Sequence, residues 1–171
     1  MNIDNFIRNI PDFPKEGIMF KDITPLLGEP EAFNRSIDLL ADKLKDIEYS
    51  AIIWVESRGF IFGSALAYKC NKRLVPVRKK NKLPADTFKV EYDLEYGTDI
   101  LEIHKDSLKP LEKVIIIDDL LATGGTVGAV EKLIDYTGAK VEAMAFVIEL
   151  MFLNGRKNLA CPKIISLLQY S

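Results

Sequence analysis

The sequence predicts an α/β fold in which helices flank a central, mainly parallel sheet of about five strands, a usual size for a sheet. Short apolar runs alternate with stretches of helical length along the 171 residues, which is the order expected of a layered α/β protein. The runs are apolar throughout, as in strands buried on both faces of a parallel sheet. At roughly 100–200 residues per domain, residues 1–171 are predicted to form a single domain.

The individual elements follow from period and composition. Apolar residues three or four positions apart predict a helix over 31–45, and Pro30 suits its first turn. Two more stretches are predicted to be helices, 59–69 and 126–139, the second ending at Gly138. Short apolar, β-branched runs are predicted to be strands: 51–55, 74–78, 114–118 and 141–150.

Two segments depart from this alternation. Residues 79–106 are charged and rich in Tyr and β-formers, with apolar and polar residues alternating near 99–104. They are predicted to form a hairpin-like excursion, or a flexible flap, that projects from the sheet. Residues 1–30 are rich in Pro and Phe and are predicted to form a small hood, a second cover.

Charge and composition limit the possible functions. Lys and Arg number 23 against 25 Asp and Glu, so no global attraction to nucleic acid or an anionic membrane is expected. The first residues lack the pattern of a signal peptide, and no apolar stretch approaches the roughly 18 residues of a membrane span, so a cytoplasmic location is expected. Cys70 and Cys161 are expected to stay reduced. With His104 the one histidine, no protein-held metal is predicted.

The most informative stretch is VIIIDDLLATGGTVGAV, residues 114–130. An apolar strand delivers Asp118 and Asp119, a Gly-Gly turn follows, and Thr126 opens a helix. Glycines allow close backbone approach to a ligand, and the helix N-terminus adds N–H donors and partial positive charge, so the turn suits a phosphate monoester. Thr123 and Thr126 can add hydroxyl donors.

The two carboxylates before this turn would repel a phosphate and suit sugar hydroxyls instead. A phosphate site next to a diol site describes a ribose 5-phosphate. The loop lacks the Gly-Lys-Ser/Thr ending of a Walker A sequence and the Gly-x-Gly-x-x-Gly spacing of a dinucleotide fingerprint. The plainer alternative is that one Asp caps a turn.

The stretch IIIDDLLATGGT at 115–126 resembles the phosphoribosyl pyrophosphate-binding motif of the type I phosphoribosyltransferase family. Further segments are similar to the adenine-using branch of that family, in the same order, and together cover essentially the whole chain: 13–27, 56–63, 77–84, 92–106 and 166–170. The resemblance implies transfer of a phosphoribosyl group to adenine, with AMP and pyrophosphate as products. It also implies a homodimer, and Mg²⁺ carried by the substrate's phosphates.

The resemblance assigns a role to each matching residue. The implied 5′-phosphate site is Ala122, Thr123, Gly124, Gly125 and Thr126, and the implied ribose site is Asp118 and Asp119. The implied pyrophosphate site is Ser57, Arg58, Gly59, Arg78, Lys79, Lys82 and His104. Arg78, Lys79 and Lys82 are expected to act from the neighbouring subunit. Phe20 is expected to stack on the base with Lys21 beside it, Glu95 and Tyr96 belong to the flap, and Glu95 and Arg58 are the implied catalytic residues.

Physical reasoning supports these roles unequally. Arg58 and the basic run at 78–82 suit a pyrophosphate, although a short basic run by itself is more often a solvated surface. Phe20 alone would usually belong to a core, and Glu95 alone would be an ordinary exposed acid. Lys21 stands where many family members have Arg. The bidentate guanidinium of Arg is thereby replaced by the point charge of an ammonium group.

Two other functions remain open at this stage. One is transfer to a 6-oxopurine or another base, since base preference depends on backbone contacts. The other is a regulator that senses phosphoribosyl pyrophosphate and binds nucleic acid. The mild negative charge and the absence of an added helix-turn-helix segment count against the regulator.

Overall fold

The computed structural model describes residues 1–93 and 97–171. In chain order the strands and helices are β1 (Arg8–Pro11), β2 (Met19–Asp22), α1 (Thr24–Gly28), α2 (Pro30–Leu44), β3 (Ala51–Val55), α3 (Gly59–Cys70), β4 (Arg73–Lys79), β5 (Thr87–Asp93), β6 (Thr98–His104), β7 (Lys113–Leu121), α4 (Gly125–Thr137), β8 (Lys140–Leu150) and β9 (Ile164–Tyr170). Short 3-10 turns occupy Ile3–Phe6, Met151–Leu153 and Gly155–Asn158.

Within these residues the central sheet has seven strands in the order β5-β6-β4-β3-β7-β8-β9. Five strands that are consecutive in the sheet, β4, β3, β7, β8 and β9, are all parallel. This confirms the predicted parallel sheet of about five strands. Four of the five lie where apolar runs predict them. The fifth, β9, was not predicted as a strand from its pattern, because it lies at the sheet edge and its side chains are only partly buried.

The segment after β4 forms the antiparallel hairpin β5–β6. The hairpin does not simply project from the sheet, because β6 pairs antiparallel with β4 through Arg78 with Glu102 and Lys79 with Leu101. It thereby extends the sheet to seven strands. At the other end of the chain, β1 and β2 form a separate two-stranded sheet, and Arg8 donates to Asp22 to tie this pair together.

Apolar side chains bury both faces of the sheet. Val130 and Leu133 of α4 are fully buried in the core of one face, and Phe62 of α3 and Leu40 of α2 in the core of the other. Burying such a side chain is worth roughly 1.5–3 kcal/mol. The two covered faces leave the strand ends as the place for polar groups.

The structure also bears on the cysteines and on membrane insertion. Cys70 is half-buried, Cys161 is buried, and both are free thiols. None of the helices in the described part of the chain has the length and apolarity needed to cross a membrane.

Candidate active site

The carboxyl ends of β3 and β7 bring two of the predicted motifs together. These strands are neighbours in the parallel sheet, paired in register over 51–54 and 114–117. Segment 56–59 follows β3, and segment 118–126 covers the end of β7 and the turn beyond it. Neighbouring parallel strands end at one edge of the sheet, where open α/β sheets bind their ligands.

The 122–126 loop leads from β7 into α4. Gly124 has φ +84°, in the left-handed region that favours glycine, and the helix begins at Gly125. The first N–H groups of a helix have no acceptor inside the helix and carry partial positive charge. Together with the hydroxyls of Thr123 and Thr126, they make the turn a donor-rich anion site.

A second turn, Gly155–Asn158, supports this loop from behind. A Cβ built on Gly124 would lie 2.6 Å from the Gly155 carbonyl oxygen, and one built on Gly155 would lie 2.2 Å from the Ala122 carbonyl oxygen. The Asn158 side chain donates to the Thr123 carbonyl at 2.8 Å. Sequence reasoning missed this support. The Asn154-Gly155 pair indicates a turn, but nothing local shows which loop the turn contacts.

The two carboxylates lie inside β7, because the strand runs three residues beyond the predicted end. Asp119 is 5% exposed, and its Oδ2 is 2.9 Å from Nε of Arg58. Asp118 lies against Gly59, where a Cβ would be 2.7 Å from Asp118 Oδ1. Gly59 is therefore the residue that leaves room for the carboxylate.

Burial raises the pKa of both carboxyl groups. For Asp118, desolvation and the neighbouring charge of Asp119 together hold the pKa well above its usual range. For Asp119, burial again raises the pKa, and the Arg58 guanidinium offsets part of that rise. The positive charge of Arg58 thus favours the ionised form of Asp118 and Asp119.

A cavity of about 330 Å³, the loop cavity, opens in front of these groups. Its volume falls within the roughly 300–1,000 Å³ of small-molecule sites. It is lined by Glu56, Ser57, Arg58, Lys79 and residues 118–127. All the predicted 5′-phosphate and ribose residues therefore border one space.

A second cavity of about 380 Å³, the Phe20 cavity, is also bordered by Arg58. Its lining is mainly apolar: Ile10, Phe13, Phe20, Asp22, Ile23, Thr24, Leu27 and Arg58. The rings of Phe13 and Phe20 meet edge to face, with centroids 5.1 Å apart. The Arg58 guanidinium carbon is 5.7 Å from the Phe20 ring centre. Arg58 therefore borders both cavities.

Lys21 does not line the Phe20 cavity. Successive residues of a strand point to opposite faces, and Lys21 follows Phe20 on β2. Its ammonium group donates to Asn9 at 2.8 Å and lies 3.7 Å from the ring centre of Tyr170. The structure thus separates the two residues predicted for the base site.

The predicted pyrophosphate residues fall into two groups. Ser57, Arg58 and Lys79 line the loop cavity. Lys79, which was expected to act from the neighbouring subunit, thus borders the cavity of its own chain. Arg78 is not among the lining residues. Its Nε and Nη2 lie 3.3 Å from the Glu56 carboxylate, and its Nη1 donates to the Lys82 carbonyl.

His104 lies at the other end of the β5–β6 hairpin from the loop cavity. The hairpin pairs Thr87 with His104 and Asp93 with Thr98, and seven residues of strand span roughly 20 Å. The ring Nε2 accepts from the Ala85 N–H at 3.3 Å. The Asp93 carbonyl, in contrast, lies 3.5 Å from where a Cβ on Gly125 would be.

The predicted flap residues Glu95 and Tyr96 lie outside the described residues. Among the residues that are described, no cluster of His, Cys, Asp and Glu is arranged to hold a metal ion.

Comparison of the sequence and the structure with known proteins shows which family the chain belongs to. Residues 24–158 match the family model described as a phosphoribosyl transferase domain. That match, over most of the chain, sets the class of the protein as a phosphoribosyltransferase.

Full-length relatives narrow the class. The chain is 55% identical over 170 residues to an adenine phosphoribosyltransferase of Carboxydothermus hydrogenoformans, covering 99% of this chain and 100% of the relative. The chain belongs to the adenine phosphoribosyltransferase family.

Solved structures agree with that assignment. The adenine phosphoribosyltransferase of Thermoanaerobacter pseudethanolicus superposes with a TM-score of 0.95 at 53% identity, covering 98% of each chain. The enzyme of Saccharomyces cerevisiae, solved with an iminoaltritol bisphosphate and adenine, superposes with a TM-score of 0.91 at 38% identity, covering 96% of each chain.

Proposed function

We propose that the protein transfers the phosphoribosyl group of 5-phosphoribosyl 1-pyrophosphate to adenine, giving AMP and pyrophosphate. The observation that carries this proposal is the position of Arg58, which borders both the polar loop cavity and the apolar Phe20 cavity. A sugar phosphate in the first cavity and a flat base in the second meet beside this one residue. Membership in the adenine phosphoribosyltransferase family points to the same pair of substrates.

The loop cavity holds the ribose 5-phosphate part of the donor. The backbone donors and hydroxyls of 122–126 bind the 5′-phosphate at the start of α4. Asp118 and Asp119 accept hydrogen bonds from the ribose hydroxyls. Asp119 is charge-balanced by Arg58 at 2.9 Å, so the site presents acceptors for the diol without a fully unpaired buried charge.

The pyrophosphate leaves from the side of Ser57, Arg58 and Gly59. As the bond from C1′ to the pyrophosphate oxygen lengthens, the ribose gains oxocarbenium character and the leaving group gains negative charge. Arg58 and Lys79 stabilise that charge more in the transition state than in the ground state. The new bond forms between C1′ and N9 of adenine, and a proton leaves the base.

Magnesium belongs to the substrate in this scheme. Mg²⁺ in proteins usually keeps several waters and binds one or two carboxylates together with substrate phosphates. The loop cavity fits that pattern, since Asp118 borders it and could complete a coordination sphere made mainly by pyrophosphate oxygens. When bound, the ion neutralises part of the leaving-group charge.

Adenine occupies the Phe20 cavity. Phe20 supplies a ring face for stacking, its orientation fixed by Phe13. Glu95, on the segment after β5, is the proposed acid-base group that handles the proton of the base, with Tyr96 beside it. The Asp93 carbonyl, at the end of β5, lies next to Gly125, so β5 ends beside the 122–126 loop.

A homodimer completes the proposed site. Arg78, Lys82 and His104 do not border the loop cavity of their own chain, and we assign them to the pyrophosphate of the neighbouring subunit. Phe60 and Tyr68 of α3 are 47% and 92% exposed, and such apolar surface suits a protein interface. The proposed location is the cytoplasm, because the phosphorylated substrates do not cross membranes.

A competition assay tests the choice of base. The protein is incubated with Mg²⁺, phosphoribosyl pyrophosphate and equal concentrations of adenine, hypoxanthine, guanine and orotate, and the nucleotides are separated. AMP should dominate. A dominant IMP, GMP or OMP would reject adenine as the substrate, and no nucleotide at all would reject the transferase function.

A further inference from the structure

The proposed mechanism does not use Glu149, a buried carboxylate at the carboxyl end of β8. Glu149 is 2% exposed. Its Oε1 accepts from Arg156 Nε at 2.5 Å. Its Oε2 accepts from Arg156 Nη2 and Ser166 Oγ, both at 2.6 Å, and from Gln169 Nε2 at 3.1 Å. This is a fully bonded, bidentate carboxylate–guanidinium pair.

Arg156 uses all three of its side-chain nitrogens for contacts within the protein. Nε and Nη2 bind Glu149, and Nη1 donates to the Ile164 carbonyl at 3.0 Å. The side chain therefore ties its own turn, Gly155–Asn158, to β8 and β9 at once. Because each of these contacts holds the turn in place, we take the role of Arg156 to be the fixing of a position.

The turn that Arg156 holds in place lies behind the 122–126 loop. Gly155 packs so closely against Ala122 and Gly124 that neither glycine could carry a Cβ without moving backbone. Asn158, two residues after Arg156, donates to the Thr123 carbonyl at 2.8 Å. Backbone in contact with backbone transmits a displacement of the turn directly to the loop.

We propose that Glu149 and Arg156 are positioning residues for the 5′-phosphate: they hold the Gly155–Asn158 turn against the 122–126 loop, so the loop is in its binding shape before the ligand arrives. A preformed set of donors binds without first ordering the loop. The proposal rests on the proposed function, since it takes the loop's ligand to be the 5′-phosphate.

The test compares two ligands that use different parts of the site. Calorimetric titration measures the dissociation constants of ribose 5-phosphate and of Mg-pyrophosphate for the wild type, Glu149→Gln and Arg156→Ala. Both variants should bind ribose 5-phosphate at least tenfold more weakly and pyrophosphate within about twofold of wild type, because Arg58 and Gly59 of segment 57–59 rest on Asp119 and Asp118. Added guanidinium should restore ribose 5-phosphate binding to Arg156→Ala.

A matched control removes a similar ion pair elsewhere. Arg73 donates to Glu112 at 2.5 Å at the opposite end of the parallel strands, so Arg73→Ala should leave both affinities unchanged whatever it costs in stability. Equal losses for the two ligands, or unchanged ribose 5-phosphate binding in folded variants, would overturn the positioning role. A wild-type protein that binds neither ligand would instead reject the proposed function itself.

Discussion

The guanidinium of Arg58 lies 2.9 Å from the carboxylate of Asp119, and the two side chains differ sharply in exposure, at 42% and 7%. The acid is buried in β7, while the base reaches outward between the two cavities. One cation therefore both balances the buried Asp119, a proposed ribose acceptor, and borders the space proposed for the leaving group and the base. The stability and the activity of the site are coupled through this pair.

The raised pKa of Asp118 predicts a gain in stability on substitution. A carboxyl group whose pKa is higher in the folded than in the unfolded state takes stability away as the pH rises above the unfolded value, near 3.9. Asp118→Asn removes that cost and keeps an oxygen for the Asp119 N–H, which now donates to Oδ1 at 2.9 Å. Urea denaturation should give Asp118→Asn the larger free energy of unfolding at pH 7.

The same substitution should weaken substrate binding. We expect at least tenfold lower affinity for phosphoribosyl pyrophosphate, about 1.4 kcal/mol, since one ribose acceptor loses its charge. The stability gap should close as the pH falls and wild-type Asp118 takes up its proton. A variant less stable than wild type at pH 7 would show that the buried charge is better compensated than the geometry indicates.

The two loop glycines are predicted to fail in different ways. A Cβ on Gly125 meets only contacts of 3.5 Å or more, so we expect Gly125→Val to fold and to bind phosphoribosyl pyrophosphate at least tenfold more weakly, about 1.4 kcal/mol. Gly124 has φ +84° and no room for a Cβ, so Gly124→Ala should lose about 1–3 kcal/mol of stability. Thermal melts and calorimetry separate the two effects. Unchanged affinity in Gly125→Val would exclude the loop as the phosphate site.

The homodimer proposal predicts complementation between two inactive proteins. One carries Arg78→Ala, and the other carries Asp118→Asn with Asp119→Asn. After subunit exchange, each heterodimer should contain one intact site and regain up to half of its activity per dimer. If mass spectrometry demonstrates exchange and no activity returns, Arg78 does not act across the interface.

Glu95 is predicted to act in the chemical step. Glu95→Gln keeps the size of the side chain but cannot exchange a proton, and general acid-base catalysis typically contributes a hundred- to ten-thousandfold. We expect the rate constant for AMP formation to fall roughly a hundredfold or more with phosphoribosyl pyrophosphate affinity nearly intact. Single-turnover quench is the appropriate measurement, because product release can limit steady-state turnover. A wild-type rate of the chemical step in folded Glu95→Gln would show that Glu95 has no role in catalysis.

Local pattern predicted those parts of the fold and site that depend on neighbouring residues in the chain. The apolar run before Asp118, the glycine turn and the start of α4 are all contiguous, and the structure places them as one unit. The strand extends past Asp119 because β7 continues to pair with β8 through Leu121. That pairing depends on a distant segment, so the local run could not predict where the strand ends.

Contacts between distant segments account for the features that the sequence did not predict. The support of the 122–126 loop by Gly155 joins residues about thirty positions apart, and the bond from Asn158 to Thr123 spans a similar separation. The opposite orientations of Phe20 and Lys21 follow from the two-residue period of a strand. The apolar run that overlaps β2 is only three residues long, 18–20, which is too short to predict a strand.

The most direct test of the whole account is the stoichiometry of a single reaction. Wild-type protein is mixed with Mg²⁺, adenine and limiting phosphoribosyl pyrophosphate, and AMP and pyrophosphate are quantified together, with Gly125→Val treated in parallel. We expect one AMP and one pyrophosphate per donor consumed by the wild type, and initial rates of both products reduced about tenfold or more in the variant at the same sub-saturating donor concentration. Donor consumption without AMP, or an equal initial rate from Gly125→Val, would contradict this expectation.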